Sequence, residues 1–198
     1  GRCTIVRAMA RVEFFYDYSS PWTYLAFTRI EELCCAHDAE LVWRPILVGG
    51  IFNTVNPSVY QFREQPVPAK ARYLAKDLYD WARFQHVPMK FPPTVFPVNS
   101  VKALRGALVA LEHGWISRYS ARVFQAYFGE DRDISQDAVL RAIVEEVGLD
   151  ASTFFTAIAS PAYKDRLRSN TEECVQRGGF GSPTIFIGDD MYFGNDRL

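Results

Sequence analysis

Ser20 is the first residue in the sequence whose side chain could have a chemical role. It lies in the stretch DYSSPWTYLAF, after an apolar run that predicts a buried strand, and Pro21 follows where a helix would begin. Unpaired peptide N–H groups and the partial positive charge of a helix N-terminus favour an anion there. Serine is a weak nucleophile without a base, and no histidine lies nearby in the sequence. Ser20 is therefore predicted either to cap the helix or to donate a hydrogen bond to a thiolate supplied by a cofactor.

Two later motifs could bind a ligand. In GSPT, Pro183 opens a strand-like run, and a cis peptide bond there would leave the backbone N–H and C=O of Ser182 free to pair with a peptide-like ligand. In FGNDR, Asn195 and Asp196 lie where a strand passes into a helix. They could cap that helix or hold the ammonium and carboxylate of a ligand. Taken one at a time, an ordinary turn proline and a helix cap are the simpler explanations.

Length and composition predict a soluble globular protein. The chain has 198 residues, of which 48% are hydrophobic and 23% charged, and its formal net charge is -1. Basic and acidic residues are interspersed, so no nucleic acid and no membrane is expected as a partner. No apolar run approaches the ~20 residues of a membrane span. We expect a cytoplasmic protein whose partner is a small molecule or another subunit. The first ten residues could be a fragment of a targeting segment or a tail.

The cysteines predict neither a disulfide framework nor a metal site. Four cysteines are too few for a disulfide scaffold, and the adjacent Cys34 and Cys35 would diverge by ~100° on a helix. Reduced, mostly buried thiols are the better interpretation. Cys3 and Cys174 have no partner at metal-ligand spacing, and the three histidines are scattered.

Hydrophobic patterns predict the order of the elements. A strand at residues 12–18, a helix to about residue 37 and a second strand in ELVWRPI form a βαβ unit with parallel strands. Residues 48–62 are rich in glycine and asparagine and are expected to form a loop. The middle of the chain shows only helical periods, and the expected helices span residues 69–86, 101–113, 115–128, 136–147, 151–159 and 161–177.

The C-terminal part returns to strand patterns. Residues 184–187 and 191–193 predict an antiparallel hairpin across Gly188-Asp189-Asp190. Together with the βαβ unit, the hairpin would complete a mixed sheet. The predicted fold class is therefore α/β, a thioredoxin-like fold with a large all-helical insertion. A thioredoxin-like domain is expected at 12–60 and 178–198, and an inserted helical domain at 61–177.

Four motifs in this order, FYDYSSPWTYLAF, RPILVGGIFNTVN, GSPTIFI and GNDR, resemble those of a known family. They are similar to the 2-hydroxychromene-2-carboxylate isomerases and the related kappa-class glutathione transferases, in the DsbA-like branch of the thioredoxin fold. The resemblance covers the chain from Val12 to Leu198 and implies that glutathione is the cofactor. It also implies a homodimer and a small aromatic 2-oxo acid as substrate. The thiolate would add to the conjugated side chain, allow rotation about the former double bond, and leave again.

The resemblance also implies roles for individual residues. Ser20 would replace the redox cysteine as the catalytic residue and contact the sulfur of glutathione. The residues expected to bind glutathione are Ser20, Pro21, Trp22, Asn56, Ser182, Asn195 and Asp196. Asn53 stands where many relatives have lysine, so no substrate contact is carried over to it. The family continues into a last helix where this sequence reaches Leu198, so further residues are expected.

Two other functions stay open at this point. One is a kappa-like transferase that consumes glutathione by conjugation or reduces peroxides. The other is a non-catalytic thioredoxin-like binding module, which would not bind glutathione at millimolar concentration. In an isomerase the substrate would lie between the active end of the sheet and the helical module. Candidate walls, each equally explained as core, are Trp22, Phe52, Phe91, Phe96 and Tyr192.

Overall fold

A computed structural model describes residues 9–198 of the chain. The predictions about Cys3 and most of the N-terminal segment lie outside these residues. The strands are β1 (Arg11–Tyr16), β2 (Glu40–Pro45), β3 (Thr184–Ile187) and β4 (Asp190–Phe193). The helices are α1 (Pro21–Ala36), α2 (Val48–Val55), α3 (Ser58–Glu64), α4 (Pro68–Phe84), α5 (Val101–Glu112), α6 (Ile116–Phe124), α7 (Asp137–Val147), α8 (Ala151–Ala159) and α9 (Pro161–Gln176).

The sheet confirms the predicted fold class. Its strand order is β2-β1-β3-β4, with β1 parallel to β2 and antiparallel to β3, which is antiparallel to β4. Phe14 in the middle of β1 faces Trp43 of β2 on one side and Ile185 of β3 on the other. This is the mixed sheet of a thioredoxin-like fold, and the chain between β2 and β3 is helical.

One face of the sheet packs against α1 and the helical block. Tyr24 of α1 stacks on Phe124 of α6 with ring centroids 5.1 Å apart, and Phe27 lies between Trp43 and Phe124. The hydroxyl of Tyr18 forms a 2.7 Å hydrogen bond with that of Ser120 in α6. A single buried cluster therefore continues from the sheet into the helices. The division into domains at 61–177 stays a prediction.

The opposite face is covered by α2 and α9. A smaller buried cluster is formed there by Phe15, Ile46, Ile51, Cys174 and Phe186. Both faces of β1 are thus buried, which agrees with its nearly continuous apolar sequence. The end of β1 emerges between these two layers, and the candidate site lies there.

The predicted loop at residues 48–62 is wrong, because the segment forms α2 and α3. Glycine lowers helix propensity, and Gly49 and Gly50 stand in the first turn of α2. The first N–H of this helix, that of Val48, is satisfied by the carboxylate of Asp17, 31 residues earlier in the chain. A cap that comes from a distant residue cannot be predicted from the local sequence.

The predicted helices of the middle segment are present, with ends within two residues of those expected. The exception is the helix at 115–128, which is α-helical only to Phe124 and continues as a π-helical turn over Gln125–Gly129. After β4 the chain forms a short 3₁₀ turn, Asn195–Arg197. Within residues 9–198, no helix is long and apolar enough to cross a bilayer.

Candidate functional site

The loop before β3 is the centre of the candidate site. The Ser182–Pro183 peptide bond is cis, the arrangement that turns Ser182 toward the end of the sheet. The Ser182 hydroxyl accepts a hydrogen bond from the Asp17 N–H at 2.9 Å and pairs with the Thr23 hydroxyl at 2.7 Å. Ser182 is therefore anchored to the end of β1 and to the first turn of α1.

Ser20 lies at the N-terminus of α1 and caps it. Its Oγ accepts a hydrogen bond from the Thr23 N–H at 3.2 Å and donates one to the Ser182 carbonyl oxygen at 3.0 Å. The expectation that the Ser182 carbonyl would be free is thus wrong, because the Ser20 hydroxyl donates a hydrogen bond to it. Pro21 is buried in the first turn of α1, where its missing N–H costs nothing.

Asp17 ties three segments together beneath Ser20. Its buried carboxylate accepts hydrogen bonds from the Ser19 N–H (2.9 Å), the Ser100 hydroxyl (2.8 Å) and the Val48 N–H (2.8 Å). Burial raises the pKa of Asp17 above its ordinary value, and the three donors oppose that shift. The carboxylate thereby positions the turn before α1, the start of α2 and the start of α5 around one point.

Sequence reasoning assigned no role to Asp17 or to Thr23. The available signal was an acidic residue directly after a buried apolar strand, since such a group needs hydrogen-bond donors. Thr23, fully buried, stands three residues after Ser20, where a C-x-x-C motif would place its second cysteine. Both motif positions thus carry hydroxyls, and both hydroxyls bond Ser182.

Asn56 approaches the same loop from the end of α2. Its Nδ2 donates to the Phe180 carbonyl oxygen at 3.1 Å, and its Oδ1 accepts from the Ser58 hydroxyl at 2.7 Å. Asn53 is turned to Tyr60, whose hydroxyl donates to its Oδ1 at 2.7 Å. The structure therefore brings Asn56 to the loop of Ser182.

The segment after β4 is attached to the cis-proline as well. The Gly194 N–H donates to the Pro183 carbonyl oxygen at 3.2 Å, which places Asn195 and Asp196 beside the loop. Asn195 is buried, and its Nδ2 has no hydrogen-bond partner among the residues that the structure describes. A buried donor without a partner costs free energy unless a ligand or a water satisfies it. Asp196 is exposed to solvent.

Phe52 of α2 borders the loop on one side. A Cβ at Gly181 would lie 3.9 Å from the Phe52 ring and only 2.9 Å from the Phe193 ring. A side chain at this position would therefore displace the Phe193 ring. The Phe52 ring also lies beneath the Arg63 guanidinium of α3, with 5.7 Å from Cζ to the ring centroid.

The other aromatic residues expected to line a substrate site do not all lie in the same part of the molecule. Phe91 and Phe96, in the segment between α4 and α5, form an edge-to-face pair with centroids 5.0 Å apart, and Arg63 lies over Phe96. Trp22 is half-buried against the main core. Tyr192 does not belong with them, because it lines a separate apolar cavity with Ile30 and other residues of α1. Alternation along β4 turns its side chain away from that of Phe193.

The described cysteines are free thiols, and none of them stands in the first turn of α1. Cys34 and Cys174 are buried, whereas Cys35 is exposed. Burial raises the pKa of Cys34, and it raises the pKa of Cys174 to about 11. Cys174 packs behind the sheet and carries no sign of activation.

Other features of the molecule do not compete with this site. The cavity of about 460 Å³ between α2, α5 and α9 contains none of the predicted site residues. Within the described part of the chain, no three His, Cys, Asp or Glu side chains are grouped as metal ligands would be.

Comparisons with known proteins agree with this architecture. The sequence profile of the DsbA-like thioredoxin domain matches residues 11–198. The 2-hydroxychromene-2-carboxylate isomerase of Pseudomonas putida is 30% identical over 190 residues, covering 94% of this chain and 90% of that protein. Human glutathione S-transferase kappa 1 is 28% identical, covering 94% of this chain and 87% of that protein.

A solved structure of a 2-hydroxychromene-2-carboxylate isomerase superposes with a TM-score of 0.80 at 29% identity, covering 95% of this chain and 90% of that one. The predictions of the family and of an enzyme of the isomerase type are thereby confirmed. The chain belongs to the DsbA-like thioredoxin domain family and, within it, to the group of the 2-hydroxychromene-2-carboxylate isomerases and kappa-class glutathione transferases.

Proposed function

We propose that this protein is a glutathione-dependent isomerase that acts on a small aromatic 2-oxo acid. The observation that carries the proposal is the N-terminus of α1, where Ser20 presents a hydroxyl and Thr23 a second one in place of two thiols. Such a site has an anion-attracting helix end but no sulfur of its own. The names of the relatives, an isomerase and a glutathione transferase, support the same chemistry.

The residues present fit a bound tripeptide. Asp196 offers an exposed carboxylate for the γ-glutamyl ammonium, and Asn195 offers a buried amide donor without a partner in the described residues. Ser182, beside the cis bond, lies at hydrogen-bond distance from Ser20, so ligand backbone and ligand sulfur would be held side by side. Trp22 stands in the first turn of α1 close to Ser20 in the chain, and Asn56 at the end of α2 donates to the Phe180 carbonyl of the loop that contains Ser182. When bound, glutathione supplies the sulfur nucleophile that adds reversibly to the conjugated substrate.

Ser20 and α1 together can hold a thiolate at neutral pH. Lowering the pKa of a thiol by about 2 requires about 2.7 kcal/mol of preference for the charged form. A helix N-terminus contributes about 0.5 to 1 kcal/mol, and a hydrogen bond to a charged acceptor about 1.5 to 3 kcal/mol. The two contributions are sufficient, so no further cation is required next to the sulfur.

Rotation of the Ser20 hydroxyl would let it contact the ligand sulfur and would free the Ser182 carbonyl for the ligand backbone. Its proton now points to the Ser182 carbonyl oxygen, while its lone pair accepts from the Thr23 N–H. Turning the O–H toward a thiolate keeps the helix cap and releases the Ser182 carbonyl, which can then accept from a ligand N–H. Binding of the sulfur and binding of the peptide backbone are thereby coupled through one hydroxyl.

The experiment that tests the proposal has two stages. Calorimetric titration with glutathione should give saturable binding at or below millimolar concentration, and its absence would favour a binding module of another kind. Many turnovers of a benzylidenepyruvate-type substrate should then leave total reduced glutathione unchanged. Stoichiometric loss of the thiol would instead favour the kappa-type transferase or peroxidase.

A homodimer and a cytoplasmic location belong to the same proposal. Light scattering on the full chain should give twice the 22.6 kDa of one subunit. A monomeric mass at micromolar concentration would remove the dimer from the proposal and leave the proposed chemistry untouched.

A further inference from the structure

We infer that Arg63 recognises the carboxylate of the substrate, an inference that rests on the function proposed above. The guanidinium lies over two aromatic rings, with its Cζ 5.7 Å from the centroid of Phe52 and 5.6 Å from that of Phe96. Phe52 belongs to α2, which packs on the back of the sheet, whereas Phe96 belongs to the segment before α5. Arg63 thus spans the gap between the two parts of the chain expected to enclose the substrate.

A short series of neighbouring residues connects Arg63 to Ser20, next to which the glutathione sulfur is proposed to bind. The Phe52 ring lies 3.9 Å from the Cβ position of Gly181, and Gly181 precedes Ser182, which accepts from Ser20. A ligand that reaches from the Ser20 hydroxyl along Phe52 therefore approaches the guanidinium. An aromatic 2-oxo acid has this form, with a reactive conjugated chain and a terminal carboxylate.

The charge of Arg63 is available for a ligand. Among residues 9–198 no carboxylate lies within ion-pair distance of it, whereas Arg122, Arg166 and Arg177 all have acidic partners. Asn53, which follows Phe52 in the chain, is neutral, and its Oδ1 accepts a hydrogen bond from the Tyr60 hydroxyl. Contact with two aromatic rings restricts the orientation of the guanidinium, so less side-chain entropy remains to be lost on binding.

The chemistry of arginine suits a carboxylate in this position. Its planar fork can donate two parallel hydrogen bonds to the two carboxylate oxygens, which a lysine cannot reproduce. Phe52 and Phe96 would at the same time contact the aromatic part of the substrate. Recognition of the charge and of the ring would then come from one group of three side chains.

The test compares Arg63→Gln with Arg72→Gln, an exposed arginine of α4 that also has no acidic partner in the described range. Steady-state kinetics are measured for a benzylidenepyruvate-type acid and for its neutral primary amide. Arg63→Gln should raise the KM for the acid roughly 10- to 100-fold and leave the KM for the amide unchanged. Arg63→Lys should recover part of the loss, and Arg72→Gln should behave as wild type.

Calorimetry separates this inference from the proposed function. Arg63→Gln should bind glutathione as tightly as wild type. A loss of glutathione affinity as large as the rise in KM for the acid would assign Arg63 to a glutathione carboxylate and overturn the inference. An unchanged KM for the acid would overturn it too, while the isomerase stands. If wild type fails to bind glutathione, titration with unreactive phenylpyruvate still decides: binding that is lost in Arg63→Gln supports the carboxylate contact, and equal binding by both proteins contradicts it.

Discussion

The hydroxyl of Ser20 donates a hydrogen bond to the carbonyl oxygen of Ser182 over 3.0 Å. This contact closes the gap between the first turn of α1 and the cis-proline loop, which are 162 residues apart in sequence. The same Ser20 oxygen caps α1 through the Thr23 N–H. The cap that the structure shows and the proposed contact with a ligand sulfur would therefore use the same side chain, and substitutions can separate the two roles.

Ser20→Ala should stay folded but lose turnover by roughly 10- to 1000-fold at saturating glutathione, because one donor to the developing charge is removed. Loss of the cap should lower the free energy of unfolding by about 1 kcal/mol. Ser20→Asp retains a good cap but places a negative charge beside the sulfur, so its stability should be kept and its activity lost. Ser169→Ala, on the exposed face of α9, is the matched control. Unchanged turnover in Ser20→Ala would remove Ser20 from the mechanism.

Asp17→Asn should destabilise the protein by about 1 to 3 kcal/mol, because an amide lacks one acceptor and would turn an NH₂ toward an N–H or hydroxyl donor. Denaturant unfolding measures this loss, and Asp189→Asn in the exposed β3–β4 turn is the control. Glutathione affinity should fall as well, because the Asp17 carboxylate holds the start of α2, the helix whose other end carries Asn56. A variant as stable as the control would show that the carboxylate is not needed.

The local part of the fold could be predicted from the sequence. The βαβ unit, the hairpin and most helices follow from short-range periodicity, and Ser20 with Pro21 is a local helix start. The helix α2 could not, because its cap comes from Asp17 across the fold. Arg63 could not be identified from the sequence for the same reason, because only the fold brings Phe52 and Phe96 next to this exposed arginine.

Asp196→Ala should weaken glutathione binding roughly 10- to 150-fold and change turnover at saturation much less, because its expected partner, the γ-glutamyl ammonium, is remote from the sulfur. Calorimetry gives the affinity, and kinetics at saturating glutathione give the turnover. Asp189→Ala, in the exposed β3–β4 turn, controls for a general loss of negative charge. Equal affinities in both variants would sink the assignment of Asp196.

Asp131 should make stability depend on acid pH. Hydrogen bonds from Lys90 and Thr94 lower the pKa of its carboxyl to about 2, below the ordinary 3.8 of an unfolded chain. The stabilisation is therefore complete above about pH 5 and is lost as the pH falls through the folded pKa. The difference in free energy of unfolding between wild type and Asp131→Asn should shrink as the pH is lowered from 5 to about 2. A difference that is constant over this range would contradict the ion pair.

The protein should have no thiol-disulfide oxidoreductase activity. Exchange requires an attacking thiolate, and Ser20 and Thr23 occupy the positions from which a dithiol motif would act. Cys174, with a pKa of about 11, would be ionised in only roughly one molecule in 10,000 at pH 7. In the folded protein, mass spectrometry after brief alkylation should find the exposed Cys35 modified and Cys174 intact, with Cys174 reacting only after unfolding. Insulin reduction at the rate of a dithiol enzyme would contradict the assignment of Ser20 as a hydroxyl that serves a borrowed sulfur, because the electrons would then have to come from a thiol of the chain itself.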